Sequence, residues 1–268
     1  MQRWRKFLFS ILVLLFLILA PFIILYAQGI RFDFEKMRFC KTGAIYLKVV
    51  PKRAEIFLNG KKIKETDSIL GSAKIENLIP KKYFLEVKKE NFFSWKKELE
   101  VKEEKVIPVE IILFPQNIVF KEYEKEKGEE EEKIFCEKIG RKCKIEGSVL
   151  YLWNEEKEDF EKIFENLKGF DQKGEKIAIF SEHEIWILKK EGKEFLLRES
   201  ETIKDLVFLN KNYLAYLCGK KLKIAEIELK NNLNIWEIGK IEGRNLFVEK
   251  NRIVVCSDKK CFISSPLY

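Results

Sequence analysis

The clearest feature of the hydropathy pattern is an apolar run near the start of the chain. The run from Phe7 to Ala27 includes no charged side chain. Its twenty-one residues, at a rise of about 1.5 Å each, would span roughly 31 Å as a helix, which matches a hydrocarbon core of about 30 Å. A surface helix of a soluble domain would keep a polar face, and this run has none. The pattern predicts a transmembrane helix over residues 7–27, with a cleaved signal peptide as the alternative.

The charges beside this run predict its orientation. Arg3, Arg5 and Lys6 precede it, and cationic residues that flank a first helix tend to stay in the cytoplasm. We therefore expect residues 1–6 to be a cytoplasmic tail and residues 28–41 to be a juxtamembrane segment on the other side. The chain would be a single-pass cell-membrane protein with lipid around the helix and its bulk extracytoplasmic.

Beyond the juxtamembrane segment the pattern changes to alternation. Ile45, Leu47 and Val49 recur at every second position, which is the period of a strand with one buried face. Asn59-Gly60 follows a second such run and is typical of a two-residue hairpin turn. Because further short alternating runs follow, residues 42–114 are predicted to form a small β-sandwich of five or six strands.

Two stretches of this region carry a recognisable motif. They read Gly43-Ala44-Ile45 followed by Pro51-Lys52-Arg53-Ala54-Glu55-Ile56-Phe57-Leu58-Asn59-Gly60, and Asn77-Leu78-Ile79-Pro80 followed by Tyr83-Phe84-Leu85-Glu86-Val87, Asn91-Phe92 and Trp95. In residue type and spacing they resemble a PEGA domain, although Arg53, Lys81 and Asn91 stand where that motif has glycine. The resemblance implies a β-sandwich module of bacterial and archaeal surface proteins, similar to surface-layer modules and without known catalytic residues.

A run of charge separates this region from the rest of the chain. Residues 121–133 read KEYEKEKGEEEEK, and such a sequence cannot bury a core. We therefore expect residues 115–134 to form a solvated linker between two domains.

The distal region, residues 135–268, contains a repeated strand–turn–strand pattern. Ile177, Leu214 and Ile253 occupy equivalent places in three similar segments, at spacings of 37 and 39 residues. A period near 40 with paired strands is typical of β-propeller blades, but about three blades are fewer than the four of the smallest closed ring. The pattern predicts an incomplete, propeller-like region or a plain antiparallel sheet, whose open edge would favour self-association.

One segment of the distal region shows a different period. Phe160, Ile163, Phe164 and Leu167 recur at helical spacing within residues 156–167, which predicts a short helix or, alternatively, another charged pair of strands. The expected fold class is therefore mainly β, with an N-terminal transmembrane helix, a small PEGA-like β-sandwich and a propeller-like or open antiparallel β-region.

Four of the six cysteines form two close pairs. Cys136 and Cys143 bracket one charged, turn-like stretch, and Cys256 and Cys261 bracket another. In an oxidising compartment each pair could form a disulfide across a hairpin. The alternative, a four-cysteine zinc site, favours shorter gaps between ligands. Disulfides without a metal are the favoured interpretation, and the two remaining cysteines are expected to be free.

Residue types that carry catalysis are scarce. His183 is the single histidine and lies in a turn, where an exposed structural role is commoner than a catalytic one. The 13 glycines form no phosphate-binding array, and no Gly-x-Ser-x-Gly elbow occurs. We expect no catalytic residue and no cofactor.

The aromatic residues are the candidates for ligand contact. Phe92, Phe93 and Trp95 cluster in one predicted hairpin, and Trp186 and Trp236 belong to the distal region. Buried packing is the commoner use of such rings. The alternative is an exposed platform that stacks on sugar rings or on a partner loop.

The overall charge narrows the class of partner. The net charge is +8 at pH 7, and 35% of the residues are charged, which is above the usual quarter. The cations are mixed with glutamates along the chain and do not gather into one basic stripe, which argues against nucleic-acid binding.

The anchor, the β-modules and the lack of a catalytic set together predict a function. The favoured hypothesis is a non-catalytic cell-envelope protein that binds or scaffolds an envelope protein or glycan through its extracytoplasmic β-domains. The alternatives are an accessory subunit or substrate platform of an envelope enzyme, and a structural or sensory stalk without a ligand.

Overall fold

The computed structural model describes residues 2–124, 143–155, 157–189, 192–228 and 233–268. Within these residues the chain has one helix and 24 strands, so the protein is mainly β. It divides into two compact units. The proximal unit is Met1–Lys89 with Ser94–Leu113, and the distal unit is Glu90–Phe93 with Phe114–Tyr268.

The helix α1 (Gln2–Ala27) has the length and composition of a membrane span. Its segment Trp4–Ala27 comprises 24 residues, and its most apolar window is not buried anywhere in the structure. A core helix of a soluble domain would have one face covered by protein. The prediction of an N-terminal helix that is long and apolar enough to cross a bilayer is therefore confirmed.

Nine strands make up the rest of the proximal unit. They are β1 (Ile30–Asp33), β2 (Arg38–Lys41), β3 (Gly43–Val50), β4 (Glu55–Leu58), β5 (Lys61–Glu65), β6 (Ser72–Leu78), β7 (Lys82–Lys88), β8 (Trp95–Glu100) and β9 (Val106–Ile112). β1 and β2 form a separate hairpin, and the other seven form a three-stranded sheet, β6-β3-β9, and a four-stranded sheet, β5-β4-β7-β8. β3 and β9 run parallel.

Alternate side chains of these two sheets form the proximal core. Ile45, Leu47 and Val49 of β3 are fully buried, as are Leu85 and Val87 of β7. Each sheet thus buries one face, as in a sandwich, and the alternation read from the sequence is confirmed. The sandwich has seven strands where five or six were predicted, because the charged strand β5 has no buried position and gives no hydrophobic signal.

Left-handed backbone occurs at four residues, in three of the turns that the motif singles out. Asn59 and Gly60 have φ of +50° and +80°, and they join Leu58 to Lys61 in the expected hairpin. Arg53 also has a positive φ, +57°, so it keeps a conformation that usually favours glycine. Asn91, at +64°, does the same with a side chain that tolerates it better.

Fifteen strands form the described part of the distal unit. They are β10 (Phe120–Tyr123), β11 (Cys143–Glu146), β12 (Val149–Asn154), β13 (Asp159–Phe164), β14 (Gly169–Lys173), β15 (Lys176–Phe180), β16 (Glu184–Lys189), β17 (Gly192–Arg198), β18 (Ile203–Phe208), β19 (Tyr213–Cys218), β20 (Lys221–Glu226), β21 (Ile235–Lys240), β22 (Asn245–Glu249), β23 (Arg252–Cys256) and β24 (Cys261–Ser264). Their sheets are β11-β12-β13, β14-β15-β16-β17, β18-β19-β20-β21 and β10-β24-β23-β22.

These sheets are successive antiparallel meanders, which is the propeller-like arrangement expected from the repeat. Ile177, Leu214 and Ile253 lie on β15, β19 and β23, the second strand of each repeat, and all three are buried. β14 lies beside β18, and β18 lies beside β22. The final sheet is completed by β10 from the start of the unit, which pairs with β24.

Two carboxylates, one buried and one half-buried, join the first strands of neighbouring sheets. Asp171 on β14 accepts a hydrogen bond from the backbone N–H of Phe208 on β18, at 2.8 Å. Asp205 on β18 accepts one from the backbone N–H of Leu246 on β22, at 2.7 Å. Three of the four sheets are therefore linked in series by bonds to backbone donors, in addition to apolar packing.

Two expectations from the sequence need correction. Residues 159–164 are the strand β13 and not a helix, because a register shift between Leu150 and Tyr151 disturbs the two-residue alternation and produces spacing that resembles a helix. The expected linker, residues 115–134, contains the strand β10, whose partner strand β24 is far away in the sequence.

The described cysteines fall into two chemical states. Cys256 and Cys261 form a disulfide across the β23–β24 turn. Cys143 is also in a disulfide, and Cys136, its predicted partner, lies outside the described residues. Cys40 and Cys218 are free and buried, and burial raises the pKa of both thiols.

Candidate binding clefts

One edge of the distal unit gathers loops from all of its described sheets. Because the strands alternate in direction, the loop that enters each sheet and the turn between its second and third strands lie at the same edge. Two hydrogen bonds between neighbouring sheets show this, one from a backbone N–H and one from a side chain. Ile203 donates to the Glu182 carbonyl at 2.7 Å, and the Lys204 ammonium lies 3.4 Å from the Gly243 carbonyl oxygen. Two clefts open at this edge, each between neighbouring sheets.

The first cleft lies between the β11–β13 sheet and the β14–β17 sheet and has a volume of about 670 Å³. Its lining includes the cations Lys162, Lys168, Lys193 and Arg198, the carboxylates Glu165, Glu182 and Glu184, and the rings of Phe164, His183 and Trp186. The cleft thus combines an aromatic wall with cations that slightly outnumber the carboxylates.

Trp186 is held in place in this cleft. Its indole N–H donates to Glu184 Oε2 at 3.0 Å, and Arg198 Nη1 lies 3.8 Å from the other oxygen of that carboxylate. Lys193 Nζ stands 4.6 Å from the Trp186 ring centroid and 5.1 Å from that of Phe164. The ammonium is therefore positioned by two ring faces, an attractive cation–π geometry, and remains a hydrogen-bond donor at the cleft wall.

His183 lies in the β15–β16 turn, as the sequence indicates, but it is half-buried and not fully exposed. Its Nδ1 atom is buried and has no hydrogen-bond partner among the described groups. The backbone carbonyl of His183 accepts a bond from the N–H of Glu199 at 2.8 Å. The turn is thus fixed by its backbone, while the imidazole faces the first cleft.

The second cleft lies between the β18–β21 sheet and the final sheet and has a volume of about 850 Å³. Its lining includes five cations and two carboxylates, together with two phenylalanine rings: Lys204, Lys240, Arg244, Lys259, Lys260, Glu242, Asp258, Phe120 and Phe262. This cleft therefore carries a clear excess of positive charge, which raises the local concentration of anions.

Some cations of the second cleft are paired and others are not. Arg244 Nη1 lies 3.0 Å from Asp258 Oδ1, and Lys260 Nζ lies 2.6 Å from Glu122 Oε1. Lys240 and Lys259, by contrast, have no carboxylate within ion-pair distance in the described part of the chain. Their charges are therefore available to a ligand without the loss of an existing ion pair.

A half-buried ionic group joins the loop after β17 to the strands β19 and β20. Glu199 accepts hydrogen bonds from the Lys223 ammonium at 2.8 Å and from the Tyr216 hydroxyl at 2.6 Å. Burial by itself raises the pKa of Glu199, but the bonds from Lys223 and Tyr216 outweigh it and hold that pKa below its usual value. Burial, together with Glu199, raises the pKa of Tyr216, so the hydroxyl stays protonated and keeps donating.

The structure separates the five aromatic residues that the sequence proposed as ligand contacts. Trp95 is fully buried in the sandwich, and Trp236 is buried against Phe114 and Tyr213, at centroid distances of 5.4 and 6.1 Å. These two rings pack in the core, because their large apolar area is removed from water there, and they cannot form an exposed platform.

The other three aromatics are partly exposed. Phe92 forms an isolated bridge with Pro115, and the backbone N–H of Phe93 donates to the Phe114 carbonyl at 2.8 Å. Both are half-buried in the segment Glu90–Phe93 of the distal unit. Of the five, Trp186 is the residue that lines one of the two clefts.

The sequence did not reveal the cationic second cleft. Its cations come from three loops and strand ends that are distant along the chain, so none of them forms a basic run. The one visible signal was the Ser-Asp-Lys-Lys turn at residues 257–260. Within the described residues no group of three or more histidine, cysteine, aspartate or glutamate side chains is arranged to hold a metal ion.

Comparisons with known proteins give no family. No family model matches the chain, and no curated protein matches it.

Three solved structures illustrate the structural similarity to known proteins. The β-propeller domain of Cps50 (Swd1) from Myceliophteria thermophila is 12% identical, with a TM-score of 0.33, over 87% of this chain and 88% of that one. A quinoprotein alcohol dehydrogenase-like protein from Bacteroides thetaiotaomicron is 9% identical, with a TM-score of 0.33, over 78% and 51%. The N-terminal domain of Nup159 is 12% identical, with a TM-score of 0.35, over 46% and 36%. The chain thus spans little more than a third of the last of these, and TM-scores this low establish neither a shared fold nor a shared function.

Proposed function

We propose that this protein is a non-catalytic, membrane-anchored cell-envelope protein that binds an anionic partner through the cleft edge of its distal unit. The observation that carries the proposal is the second cleft, where five cations face two carboxylates. In this proposal α1 tethers the chain, with the cytoplasmic tail on the inner side and both β-units outside. The sandwich, which resembles a PEGA domain, acts as a spacer.

The chemistry of the clefts favours a carboxylate-rich partner. Cations on walls of low polarity attract anions more strongly than cations in open water do. The rings beside them, Trp186 in the first cleft and Phe262 in the second, provide apolar contact for the carbon skeleton of a sugar or side chain. An acidic segment of an envelope protein and an acidic glycan share this chemistry.

Binding to two defined polyanions tests the proposal. The purified full chain in detergent micelles is titrated with fluorescent poly-glutamate and with fluorescent polygalacturonate, and anisotropy is measured at low and at high salt. We expect saturable binding to at least one of them, and the affinity should fall as salt screens the charges. The better ligand indicates whether the partner is a peptide or a glycan.

A matched pair of variants locates the site. Replacing Lys204, Lys240 and Lys259 by alanine removes three charges from the second cleft. At about 0.5 kcal/mol for each exposed pair, the affinity should fall roughly tenfold. Replacing three exposed lysines of the sandwich (Lys48, Lys52 and Lys61) changes the net charge equally and should leave affinity nearly unchanged. Equal losses in both variants, or no binding by the wild type, would contradict the proposed site.

A further inference from the structure

The segment between the helix and the sandwich is a hairpin with two different faces. β1 and β2 pair antiparallel, with Phe32 opposite Phe39. Asp33 and Cys40 point to the other face and are only 5% and 4% exposed. One face of the hairpin is therefore covered by protein, and the face that carries the phenylalanines is not.

The uncovered face is an aromatic cluster. The centroids of Phe32 and Phe34 lie 5.0 Å apart, those of Phe32 and Phe39 lie 5.1 Å apart, and both contacts are edge to face. Phe34 is 80% exposed, Met37 in the turn is 72% exposed, and Phe39 is 59% exposed. Single exposed apolar residues are normal on a protein surface, but a contiguous group of this kind marks an interaction surface.

The hairpin is fixed next to the end of α1. Two residues separate Ala27 from Ile30, and the backbone N–H of Thr42 donates to the Gly29 carbonyl at 3.0 Å. The Arg31 guanidinium lies 3.5 Å from the centroid of the Tyr26 ring in α1 and donates to the Tyr26 carbonyl at 3.0 Å. The base of the hairpin is therefore fixed to the end of the helix.

Ion pairs hold the covered side of the hairpin on the sandwich. Glu35 Oε1 lies 2.8 Å from Lys81 Nζ, and Arg38 Nη2 lies 3.1 Å from Glu103 Oε1. Both partners belong to loops at the end of the sandwich where β3 begins. Because the sandwich covers one face of the hairpin, the aromatic face points away from the sandwich.

Charges of both signs lie at this end of the unit, and the carboxylates include Glu35, Glu103 and Glu104. Lys36 lies in the hairpin turn, and Lys81, Lys82, Lys102 and Lys105 lie in or next to the two loops that pack near it. An exposed group of aromatic side chains that follows directly on an apolar helix, with Lys36 in the same turn, has the composition of a surface that lies in the interface of a bilayer.

We propose that the aromatic face of the β1–β2 hairpin inserts into the headgroup region of the same bilayer that α1 spans, with Lys36 of the turn beside the lipid headgroups. This inference rests on the membrane anchoring given under the proposed function. Aromatic rings prefer this depth because their apolar bodies leave water while their edges stay near polar groups. The sandwich is then held to the membrane surface at two points and has a defined orientation there.

Depth-dependent quenching tests the insertion in the full chain. Met37→Cys is labelled with an environment-sensitive fluorophore, and the chain is reconstituted into vesicles of equal parts phosphatidylcholine and phosphatidylglycerol, with or without nitroxide-labelled lipid. Ile69→Cys is the matched control, because Ile69 is 76% exposed and lies in the turn before β6, at the opposite end of β3. The unsubstituted chain, taken through the same labelling, measures reaction at native thiols.

The expected result is a blue-shifted emission at position 37, with most of the signal lost to the nitroxide lipid, and neither effect at position 69. Adding Phe34→Ser and Phe39→Ser should return the probe at position 37 to water-like emission. Equal, water-like emission at both positions, in a chain that still resists alkaline extraction, overturns the insertion and leaves the anchor standing. A chain that washes off the vesicles overturns the anchor and the insertion together.

Discussion

Replacing Asp171 by alanine tests how the sheets of the distal unit are held together. Asp171 is 7% exposed and accepts the 2.8 Å bond from the Phe208 N–H. In the alanine variant the Phe208 N–H loses this acceptor, and because Phe208 is only 2% exposed, water does not readily replace it. A hydrogen bond to a charged group contributes about 1.5–3 kcal/mol. We therefore expect the free energy of unfolding of the distal unit to fall by about 2 kcal/mol.

Two measurements on the full chain in detergent can detect this loss. In calorimetry, about 2 kcal/mol corresponds to a fall of roughly 4–8 °C in the unfolding midpoint of a domain of 150–250 residues. In hydrogen exchange, the peptide that contains β18 should exchange faster at Phe208. Asp171→Asn is the matched control, because it keeps an oxygen acceptor at the same place, and it should cost about 1 kcal/mol or less.

A small difference between the two variants would refute the link between the sheets. If the free energies of unfolding of Asp171→Ala and Asp171→Asn differ by less than about 0.5 kcal/mol, and hydrogen exchange at Phe208 is unchanged, the carboxylate does not join the two sheets. Apolar packing between the sheets would then be sufficient by itself.

Three further predictions concern stability. Lys223→Met removes the ammonium 2.8 Å from the part-buried Glu199 and should destabilise the chain by about 3 kcal/mol in urea unfolding. Because the pKa of Glu199 is lowered in the fold, its stabilisation is present above its unfolded pKa of about 4.3 and is lost as pH falls through the lower folded pKa. The difference between the wild type and this variant should therefore shrink in acid, and a constant difference would contradict the pairing. Gly71→Ala combines a φ of +69° with a clash against a backbone carbonyl and should lower the free energy of unfolding by about 2 kcal/mol. In the control variant Gly60→Ala, φ is +80° but the added methyl meets open space, so the expected loss is about 1 kcal/mol. Equal losses in the two variants would show that the carbonyl moves to relieve the clash. Cys261→Ser removes the Cys256–Cys261 disulfide, whose sequence separation is 5, and should lower the free energy of unfolding in guanidinium by about 2 kcal/mol. An unchanged unfolding midpoint would mean that the β23–β24 turn is already ordered without the bond.

Local periodicity explains why much of the fold could be read from the sequence. Ile45, Leu47 and Val49 alternate because each turns to the core of the sandwich, and that constraint acts within one strand. The repeat of Ile177 and Leu214 is visible for a similar reason, since each occupies the second strand of its own sheet. Features that depend on a few neighbouring residues leave a pattern that a single sequence displays.

Non-local pairing and register shifts leave no such pattern. The four residues of β10, starting at Phe120, form a strand because β24 supplies its partner, and their own charged sequence looks like a linker. Phe160 and Phe164 suggested a helix because a bulge in the adjoining ladder disturbs the alternation. In both places the decisive interaction is with another strand.

The clefts show the same limit. Lys204, Lys240 and Lys259 come together because three loops end at one edge, and no stretch of sequence is basic enough to indicate the site. Trp186 could be named as a candidate from its residue type, but its sequence position did not distinguish it from Trp236, which is buried. Burial of an aromatic ring is decided by the packing of sheets, which the strand pattern alone does not specify.

Protease accessibility of a C-terminal tag on the full chain, expressed in a bacterial host, tests whether α1 anchors the chain with both β-units outside. Spheroplasts are treated with protease from the outside, and their membranes are then extracted at alkaline pH. The account predicts that the chain stays with the membrane pellet and that the tag is removed by external protease. A tag that survives in closed spheroplasts, or a chain that is recovered in the soluble fraction, would contradict it.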